Sequence, residues 1–264
     1  MKNWTKACLI PAIALFACDD PVAADVHEQN LEIVENLRIA GYPAGEIEVR
    51  ADGVIVGGDA LVTLEASREM LGEHDEDEHD HALQFRQYRT TNLVSPDVHV
   101  ICIDGSKYTG TMSEALDKAI ANYTALNLSF DMVRTNGSDA GCDAEITMSL
   151  KGSAGGSSGF PAGGLPYGTV NVGKATASYG LAVATHVITH ELGHCVGFRH
   201  TDYYNRTISC GTGGNEGEAG VGAIHIPGTP TDAVNNGSVM NSCFNQGSTG
   251  QWTNTDLTAI NALY

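Results

Sequence analysis

The sequence predicts an α+β fold for residues 90–264, preceded by a smaller N-terminal unit. From Val98 onwards, short apolar runs typical of strands alternate with segments whose apolar residues recur at helical spacing. Beyond His200 regular periodicity is sparse until a final short helix, which indicates an irregular C-terminal region. The 264 residues suffice for one or two domains with a sizeable core.

The N-terminal unit carries its own helix and strands. Residues 27–40 place apolar side chains on one helical face. Val49 and the run 54–56 predict two short strands around a turn at Asp52. The segment therefore has enough regular pattern to fold, rather than being a plain linker.

An acidic stretch separates this unit from the rest of the chain. Residues 73–81 contain only acidic residues and histidines, which is typical of a solvated linker, with loose metal capture as the alternative. Arg86 and Arg89 follow, and they look exposed and open to proteolytic clipping. We therefore divide the chain after residue 17 into an acidic segment with its linker, 18–89, and a C-terminal domain, 90–264.

The C-terminal unit is predicted as alternating strands and helices. Strands are expected at 98–103, 128–133, 144–150 and 169–172. The Gly-, Ser- and Pro-rich stretch 152–168 predicts a loop or a ragged edge strand. One helix should start at Ser113, a second should span 181–197, and Thr255 with Asp256 should cap a last short helix.

Residues 190–200, His-Glu-Leu-Gly-His-Cys-Val-Gly-Phe-Arg-His, have the spacing of a metal site. His190 and His194 are four residues apart, so a helix presents both imidazoles on one face. Gly197 can adopt a positive φ that ends the helix and brings His200 back as a third ligand. Three protein ligands leave one tetrahedral position open for water, which is the arrangement of a catalytic zinc ion.

Three further residues belong to this hypothesis. Glu191 lies beside the metal, where it can act as the general base toward a metal-activated water. Met240, within the run Ser-Val-Met-Asn-Ser, is predicted to pack as an apolar floor beneath the histidines. Asp202 either anchors the turn after the third histidine or is a surface residue.

The N-terminus has the pattern of a signal peptide, residues 1–17. Two lysines precede an apolar stretch that is too short to span a bilayer. The run Leu-Phe-Ala-Cys ending at Cys18 is typical of a bacterial lipobox, with cleavage before Cys18 and a lipid on its sulfur. An ordinary signal peptide cut near Ala23 is the alternative. Either reading predicts an exported protein, anchored at the cell envelope or surface, or secreted.

Five cysteines follow Cys18, and export favours disulfides among them. Cys210–Cys243 would tie the loop after the third histidine to the Met240 segment, and Cys195 could compete for either partner. Cys102–Cys142 is another possible pair. A three-cysteine zinc site is a weaker alternative, because these residues lack tight ligand spacing. The sequence leaves the connectivity open.

The formal charge of −18 is concentrated in the N-terminal third. Such an excess argues against nucleic acid or anionic lipid as a partner. We expect a monomer that acts on a peptide or protein substrate, with the lipid on Cys18 as its possible membrane anchor.

The residues 190–203 and the Met240 segment resemble the metzincin clan of zinc metallopeptidases, and are most similar to the bacterial HEIGH-type metallopeptidases. The stretches 90–94 and 220–229 are also similar to that family. The resemblance implies a twisted mixed sheet with an active-site helix above the cleft, and an irregular C-terminal subdomain with a Met-turn. It also implies that an edge strand near 152–168 holds extended peptide by main-chain pairing.

Two positions refine the predicted site. Astacin-like relatives carry a tyrosine two residues after the Met-turn methionine, where it can bind zinc, whereas this chain has Ser242. Residues 56–59, Val-Gly-Gly-Asp, are similar to the latency motif of astacin pro-segments. By that resemblance Asp59 would displace the catalytic water until the N-terminal segment is removed. The alternative is an ordinary glycine turn with a solvent-facing aspartate.

The sequence thus predicts a zinc-dependent endopeptidase with one catalytic Zn²⁺, exported and made as a latent precursor. A non-catalytic surface lipoprotein that binds peptide or metal is the alternative, which the intact Glu191 disfavours.

The wall of the specificity pocket is expected between His200 and Met240, with 222–227 as candidates.

Overall fold

The computed structural model describes residues 21–71, 87–137, 141–217, 223–229 and 233–264. The predicted signal peptide, Cys18, Arg86 and the acidic run 73–81 lie outside these ranges. Of the helices it describes, none has the length and apolar character needed to cross a membrane.

The N-terminal unit is a small layer of strands covered by two helices. Its elements are α1 (Pro21–Ile39), β1 (Ile47–Arg50), β2 (Gly53–Val56), β3 (Ala60–Val62) and α2 (Leu64–Glu69). β1 and β2 pair in antiparallel fashion around the turn at Asp52, as predicted. Leu37 of α1, Val54 of β2 and Ala66 of α2 are buried together in the core of this unit.

The C-terminal unit contains the remaining regular elements. They are β4 (Tyr88–Arg89), β5 (Val100–Asp104), α3 (Gly110–Thr124), β6 (Asp131–Thr135), β7 (Ala144–Lys151), β8 (Gly156–Gly159), β9 (Thr169–Gly173), α4 (Leu181–Cys195), β10 (Phe198–Arg199), α5 (Thr207–Cys210), β11 (Ile224–His225) and α6 (Asn254–Leu263).

Strands from both units form one mixed sheet in the order β1-β2-β3-β8-β9-β7-β5-β6. β6, β5, β7 and β9 are mutually parallel, and β8 runs antiparallel to β9. β3 joins the sheet by pairing in parallel with β8. This arrangement confirms the predicted α+β fold with a mixed sheet, and it identifies β8 as the strand against which the N-terminal unit is added.

The two longest helices of the C-terminal unit pack against each other, with α3 against β6 and α4 against β8 and β9. Leu116 and Ile120 of α3 and Val187, Ile188 and Leu192 of α4 belong to one buried apolar cluster. Because α4 is surrounded by protein on most sides, the side chains that it carries are held in fixed positions.

Two predicted helix starts in the C-terminal unit were wrong by two or three residues. α3 begins at Gly110 rather than Ser113, because Gly110 adopts a φ of 54° after an extended Thr109 and so turns the chain into the helix earlier. The last helix is capped by Thr253 instead of Thr255. The Thr253 hydroxyl accepts from the backbone N–H of Asp256, whose carboxylate accepts from the backbone N–H of Thr253, forming a capping box.

Other predicted boundaries also shift. β6 spans Asp131–Thr135 instead of 128–133, because its register with Val100–Asp104 of β5 fixes which residues pair. α4 ends at Cys195, two residues before the predicted end, since Val196 has left helical geometry and Gly197 has a φ of 100°.

The short strand β4 belongs with the C-terminal elements. It pairs with β10 and β11 in a three-stranded sheet. Gln87, directly before it, donates its side-chain amide to Asp256 and Ser238. Arg89 is half-buried in this strand, so the expectation that it is exposed was wrong. The connection between the two units therefore lies within residues 72–86.

Candidate active site

Helix α4 and the turn after it bring three histidines to one point. His190 and His194 are buried on one face of α4. Gly197 then reverses the chain with a φ of 100°, and a Cβ there would lie 2.7 Å from the carbonyl oxygen of Asn92. Only glycine fits this turn. His200 follows the short strand β10 and faces the two helical histidines.

The three imidazoles present their Nε2 atoms to a common centre. Nε2 of His200 is 3.2 Å from Nε2 of His194 and 3.3 Å from Nε2 of His190. A tetrahedral zinc site with metal–nitrogen distances of 2.0–2.1 Å has ligand–ligand separations of about 3.3 Å. The separations between the nitrogens match this value.

The fourth corner is occupied by Asp59, from the turn between β2 and β3. Its Oδ2 lies 3.1 Å from Nε2 of His200 and 3.6 Å from Nε2 of His190, and its Oδ1 lies 3.7 Å from Nε2 of His194. The predicted site residues His190, His194, His200 and Asp59 thus come together, with their ligand atoms within 4.8 Å of one another. The alternative of a solvent-facing aspartate is wrong.

The residues fit a metal ion. Oδ1 of Asp59 is buried and accepts no hydrogen bond from any described residue, although a buried carboxylate oxygen without a donor or a cation is costly. A cation held among the four ligand atoms would compensate the negative charge of this buried carboxylate. Three imidazole nitrogens and one carboxylate oxygen are a ligand set for zinc, so the site can hold one Zn²⁺ ion.

Each histidine is oriented through its other ring nitrogen. Nδ1 of His190 donates to the carbonyl oxygen of Val239 at 2.8 Å, and Nδ1 of His194 donates to that of Phe198 at 2.7 Å. A carbonyl only accepts, so the proton is on Nδ1 and the Nε2 lone pair faces the centre. Burial lowers the pKa of His194 to about 3, which keeps its imidazole neutral as a ligand.

His200 differs, because its Nδ1 meets a carboxylate. Oε1 of Glu216 lies 2.7 Å from Nδ1 of His200, and Oε2 lies 3.2 Å from Nη2 of the buried Arg199. Burial acts to raise the pKa of Glu216, but His200 and Arg199 together hold it below its usual range. Sequence reasoning missed Glu216, which stands in a glycine-rich stretch without periodicity.

Glu216 should therefore set the strength of metal binding. A carboxylate behind a ligating histidine is typically worth about 10–100-fold in metal affinity. Glu216→Gln is expected to weaken zinc binding by such a factor, measured by competition with a chromophoric chelator. Glu216→Asp keeps the charge that balances Arg199 and should bind zinc more tightly than the Gln variant. Equal affinities in both variants and the unaltered chain would contradict this role.

Glu191 lies next to the first histidine and is buried. Its Oε2 accepts a 2.8 Å hydrogen bond from the hydroxyl of Ser158 on β8, and the same hydroxyl contacts its main-chain oxygen at 2.9 Å. Gly156 leaves the space that the Glu191 carboxylate fills, since a Cβ there would overlap it. Burial, together with the negative charge of Asp59, raises the pKa of Glu191 well above its ordinary value.

Met240 packs against the helix that carries His190 and His194. It is fully buried, and a Cβ on Gly193 would come within 2.6 Å of its Sδ, so the thioether lies directly against α4 at Gly193. Its carbonyl oxygen accepts from the backbone N–H of Thr201, which ties the Met-turn to the residue after His200.

Asp202 joins the Met-turn to the loop after His200. It is fully buried, so the surface alternative was wrong. Its Oδ1 accepts from the backbone N–H and the hydroxyl of Ser242, both at 2.8 Å, and its Oδ2 accepts from the hydroxyl of Ser209 at 2.5 Å. The Ser242 hydroxyl is therefore directed to Asp202.

Two disulfides link distant segments. Cys210 is bonded to Cys243, which fastens the loop after His200 to the Met-turn, and Cys102 is bonded to Cys142. Cys195 is a buried free thiol inside α4. These are the two pairs predicted from the sequence that leave Cys195 out. Because Cys210 and Cys243 are bonded to each other, they are not available with Cys195 as thiolate ligands of the alternative three-cysteine zinc site.

A cavity of about 260 Å³ opens beside the metal site. It is lined by Gly57, Gly58, Asp59, Gly155, Gly156, His186, Val187, His190, Glu191, Arg206, Cys210, Asn241, Ser242, Cys243 and Phe244. Of the described residues in 222–227, none lines it, so these candidates for the wall were wrong. The predicted region between His200 and Met240 contributes Arg206 and Cys210, and further lining comes from the residues just after Met240.

The amino-acid sequence also matches a family of known proteins. Residues 54–264 match the profile of the dual-action HEIGH metallopeptidases. The chain belongs to this family. The match spans the histidine motif and the Met-turn, and it begins at the start of β2, so it includes Asp59. The protein is therefore a metallopeptidase, a hydrolase of peptide or protein substrates, with a site for one metal ion.

The solved structures that are similar to this chain include the following two. One is high choriolytic enzyme 1, a hatching enzyme zinc-protease from Oryzias latipes (Medaka fish), with 19% identity and a TM-score of 0.40, covering 66% of this chain and 92% of that one. The other is myroilysin, with 14% identity and a TM-score of 0.39, covering 66% of this chain and 95% of that one. No curated protein matches the sequence.

Proposed function

We propose that this chain is an exported zinc-dependent endopeptidase, made as a latent precursor, in which Glu191 is the general base. One observation carries the proposal: the four ligand atoms from three separate chain segments lie within 4.8 Å, beside a buried glutamate, in one cavity. Family membership supports the peptidase part, and the position of Asp59 supports the latency.

Zinc bound by the three histidines would polarise the scissile carbonyl and acidify water. The protein's part is to place the carbonyl and to move the proton. Oε2 of Glu191 is held by Ser158, so Oε1 is the oxygen left to take the proton from the attacking water and to deliver one to the leaving amine. The Ser158 hydroxyl and the missing side chain at Gly156 fix where that oxygen sits.

The first support for latency is that Asp59 occupies the fourth ligand position. Asp59 is anchored there by its own backbone, because its carbonyl oxygen accepts from the N–H of Ser158 at 3.1 Å. With this carboxylate among the imidazoles, a substrate carbonyl has no free coordination position at the metal. Removing the segment that carries Asp59 would free that position.

The same segment also covers the edge of the sheet. β3 pairs with β8 through Ala60 opposite Ser158 and Leu61 opposite Gly159. An extended peptide pairing along β8 would need these main-chain groups. The N-terminal unit therefore excludes substrate by two routes, at the metal ligands and at the strand edge.

Export is supported by the two disulfides, which persist in oxidising compartments. The signal peptide and the lipid on Cys18 remain part of the proposal on the sequence pattern alone.

Metal removal tests the peptidase proposal directly. Dialysis of the processed protein against a zinc chelator is expected to abolish casein cleavage, and one equivalent of Zn²⁺ should restore it, because the polarising cation is lost and regained. Cleavage that persists in chelator, with zinc shown to be absent by elemental analysis, would contradict the proposal.

A further inference from the structure

We propose that Arg206 forms a subsite for a carboxylate side chain of the substrate, and that Glu46 of the N-terminal unit fills this subsite in the precursor. The inference rests on the proposed function, since it requires the N-terminal unit to leave before substrate binds. It concerns the ligand chemistry of the cleft rather than the bond-breaking step.

The guanidinium of Arg206 is bound by the N-terminal unit. Its Nη2 donates to Oε2 of Glu46 at 2.7 Å, and its Nη1 donates to the carbonyl oxygen of Gly57 at 2.8 Å. Gly57 is two residues before Asp59, and both line the cavity together with Arg206 and the metal ligand His190. One carboxylate of the N-terminal unit thus meets the histidines while a second meets an arginine of the same cleft.

Arg206 is held in place by the C-terminal unit itself. Its backbone N–H donates to the carbonyl oxygen of Gly214, and its carbonyl oxygen accepts from the N–H of Cys210. Cys210 is fixed by the disulfide to Cys243 next to the Met-turn. The backbone that carries the guanidinium therefore keeps its position when the N-terminal unit departs.

The charges in the cleft then no longer balance. Departure of the N-terminal unit removes the carboxylates of Glu46 and Asp59. Glu216 stays, but it is engaged by Arg199 at 3.2 Å and by His200 at 2.7 Å, and it lies 3.8 Å from Nε of Arg206. Among the described residues, Arg206 is left without a carboxylate at hydrogen-bond distance.

An arginine guanidinium that has lost its acidic partner favours binding of another carboxylate. Arginine presents paired N–H groups that match a carboxylate in a forked geometry, and partial burial strengthens the pair relative to water. The side chain of Arg206 is 19% exposed even with Glu46 bound. A substrate aspartate or glutamate close to the scissile bond would replace Glu46 and restore both the hydrogen bonds and the charge.

The test compares peptides that differ only in charge. The processed enzyme is given a fluorogenic peptide series in which a single Asp, or the matched Asn, occupies each of the three positions on either side of the cleaved bond. We expect kcat/KM for Asp to exceed that for Asn by about tenfold or more at one position, as charge-assisted hydrogen bonds allow. In Arg206→Gln this ratio should fall to about one.

Two further variants make the result decisive. Arg206→Lys keeps the charge without the fork and should give an intermediate ratio, while Arg134→Gln, on β6 at the far edge of the sheet, should keep the full ratio. Equal cleavage of the Asp and Asn peptides at every position, or a ratio that survives in Arg206→Gln, would overturn the carboxylate subsite and leave the peptidase proposal standing. Failure to cleave any peptide would overturn both.

Discussion

Replacing Glu191 with glutamine is expected to lower the kcat/KM of the processed enzyme by about 10²–10⁴-fold, the usual contribution of a general base. Glutamine keeps the size of the side chain and can still contact the hydroxyl of Ser158 on β8, which lies 2.8 Å from Oε2 in the unaltered chain. It cannot take a proton from the attacking water. Because Glu191 is not one of the four ligand residues, the zinc content should remain at one ion per chain.

The matched control is Glu114→Gln, which makes the same chemical change at an exposed position on α3. Its activity should equal that of the unaltered enzyme. Measuring zinc by elemental analysis in the same samples separates loss of the base from loss of the metal. A Glu191→Gln variant that binds one zinc ion and cleaves peptide at the normal rate would remove Glu191 from the mechanism.

Replacing Asp59 with alanine is expected to raise the peptidase activity of the uncleaved chain by at least about tenfold, a barrier difference of 1.4 kcal/mol or more. The alanine cannot reach the three Nε2 atoms, so the fourth ligand position becomes available to water and substrate. Some inhibition should persist in this variant, because β3 still covers β8 through the pairing at Ser158. Proteolytic removal of the N-terminal unit should therefore increase the activity further.

The control for Asp59 is Asp52→Ala, at an exposed position in the β1–β2 turn of the same unit. Its long, exposed contact with Lys151 is expected to matter little. N-terminal sequencing of the active species should place the cleavage within residues 72–86, because Gln87 and β4 are bonded into the C-terminal unit. An Asp59→Ala chain as inactive as its Asp52→Ala counterpart would contradict latency through Asp59.

The three histidines of the candidate metal site could be predicted from the sequence because the information is local. Two histidines four residues apart share a helix face, and a glycine that can adopt a positive φ allows the third to return, so spacing alone defines the cluster. Met240 and the strand pattern are similarly local. The helix starts were less accurate, since Gly110 and the capping box at Thr253 depend on backbone geometry that several nearby residues could have provided.

Glu216 and Arg206 could not be found in this way. Glu216 approaches His200 from a loop without periodicity, and its role depends on the fold of residues 205–217 around the disulfide. The partners of Arg206 are 149 and 160 residues away in the chain. Long-range contacts of this kind are set by tertiary packing, and a single sequence carries no local signal for them.

The strand pairing that joins the two units could not be predicted from the sequence either. The apolar pattern predicted short strands near β2 and a loop or edge strand at 152–168. It did not predict that β3 would pair in parallel with β8. That pairing is what positions Asp59 against the histidines. The resemblance to a latency motif suggested the contact, and the sheet explains how it is held.

Zinc-edge anomalous diffraction from crystals of the uncleaved chain tests the central claim most directly. The account predicts a single zinc peak at about 2.0–2.2 Å from Nε2 of His190, His194 and His200 and from one carboxylate oxygen of Asp59. A zinc ion bound elsewhere, or one bound by the three histidines with Asp59 turned away and water in its place, would contradict it.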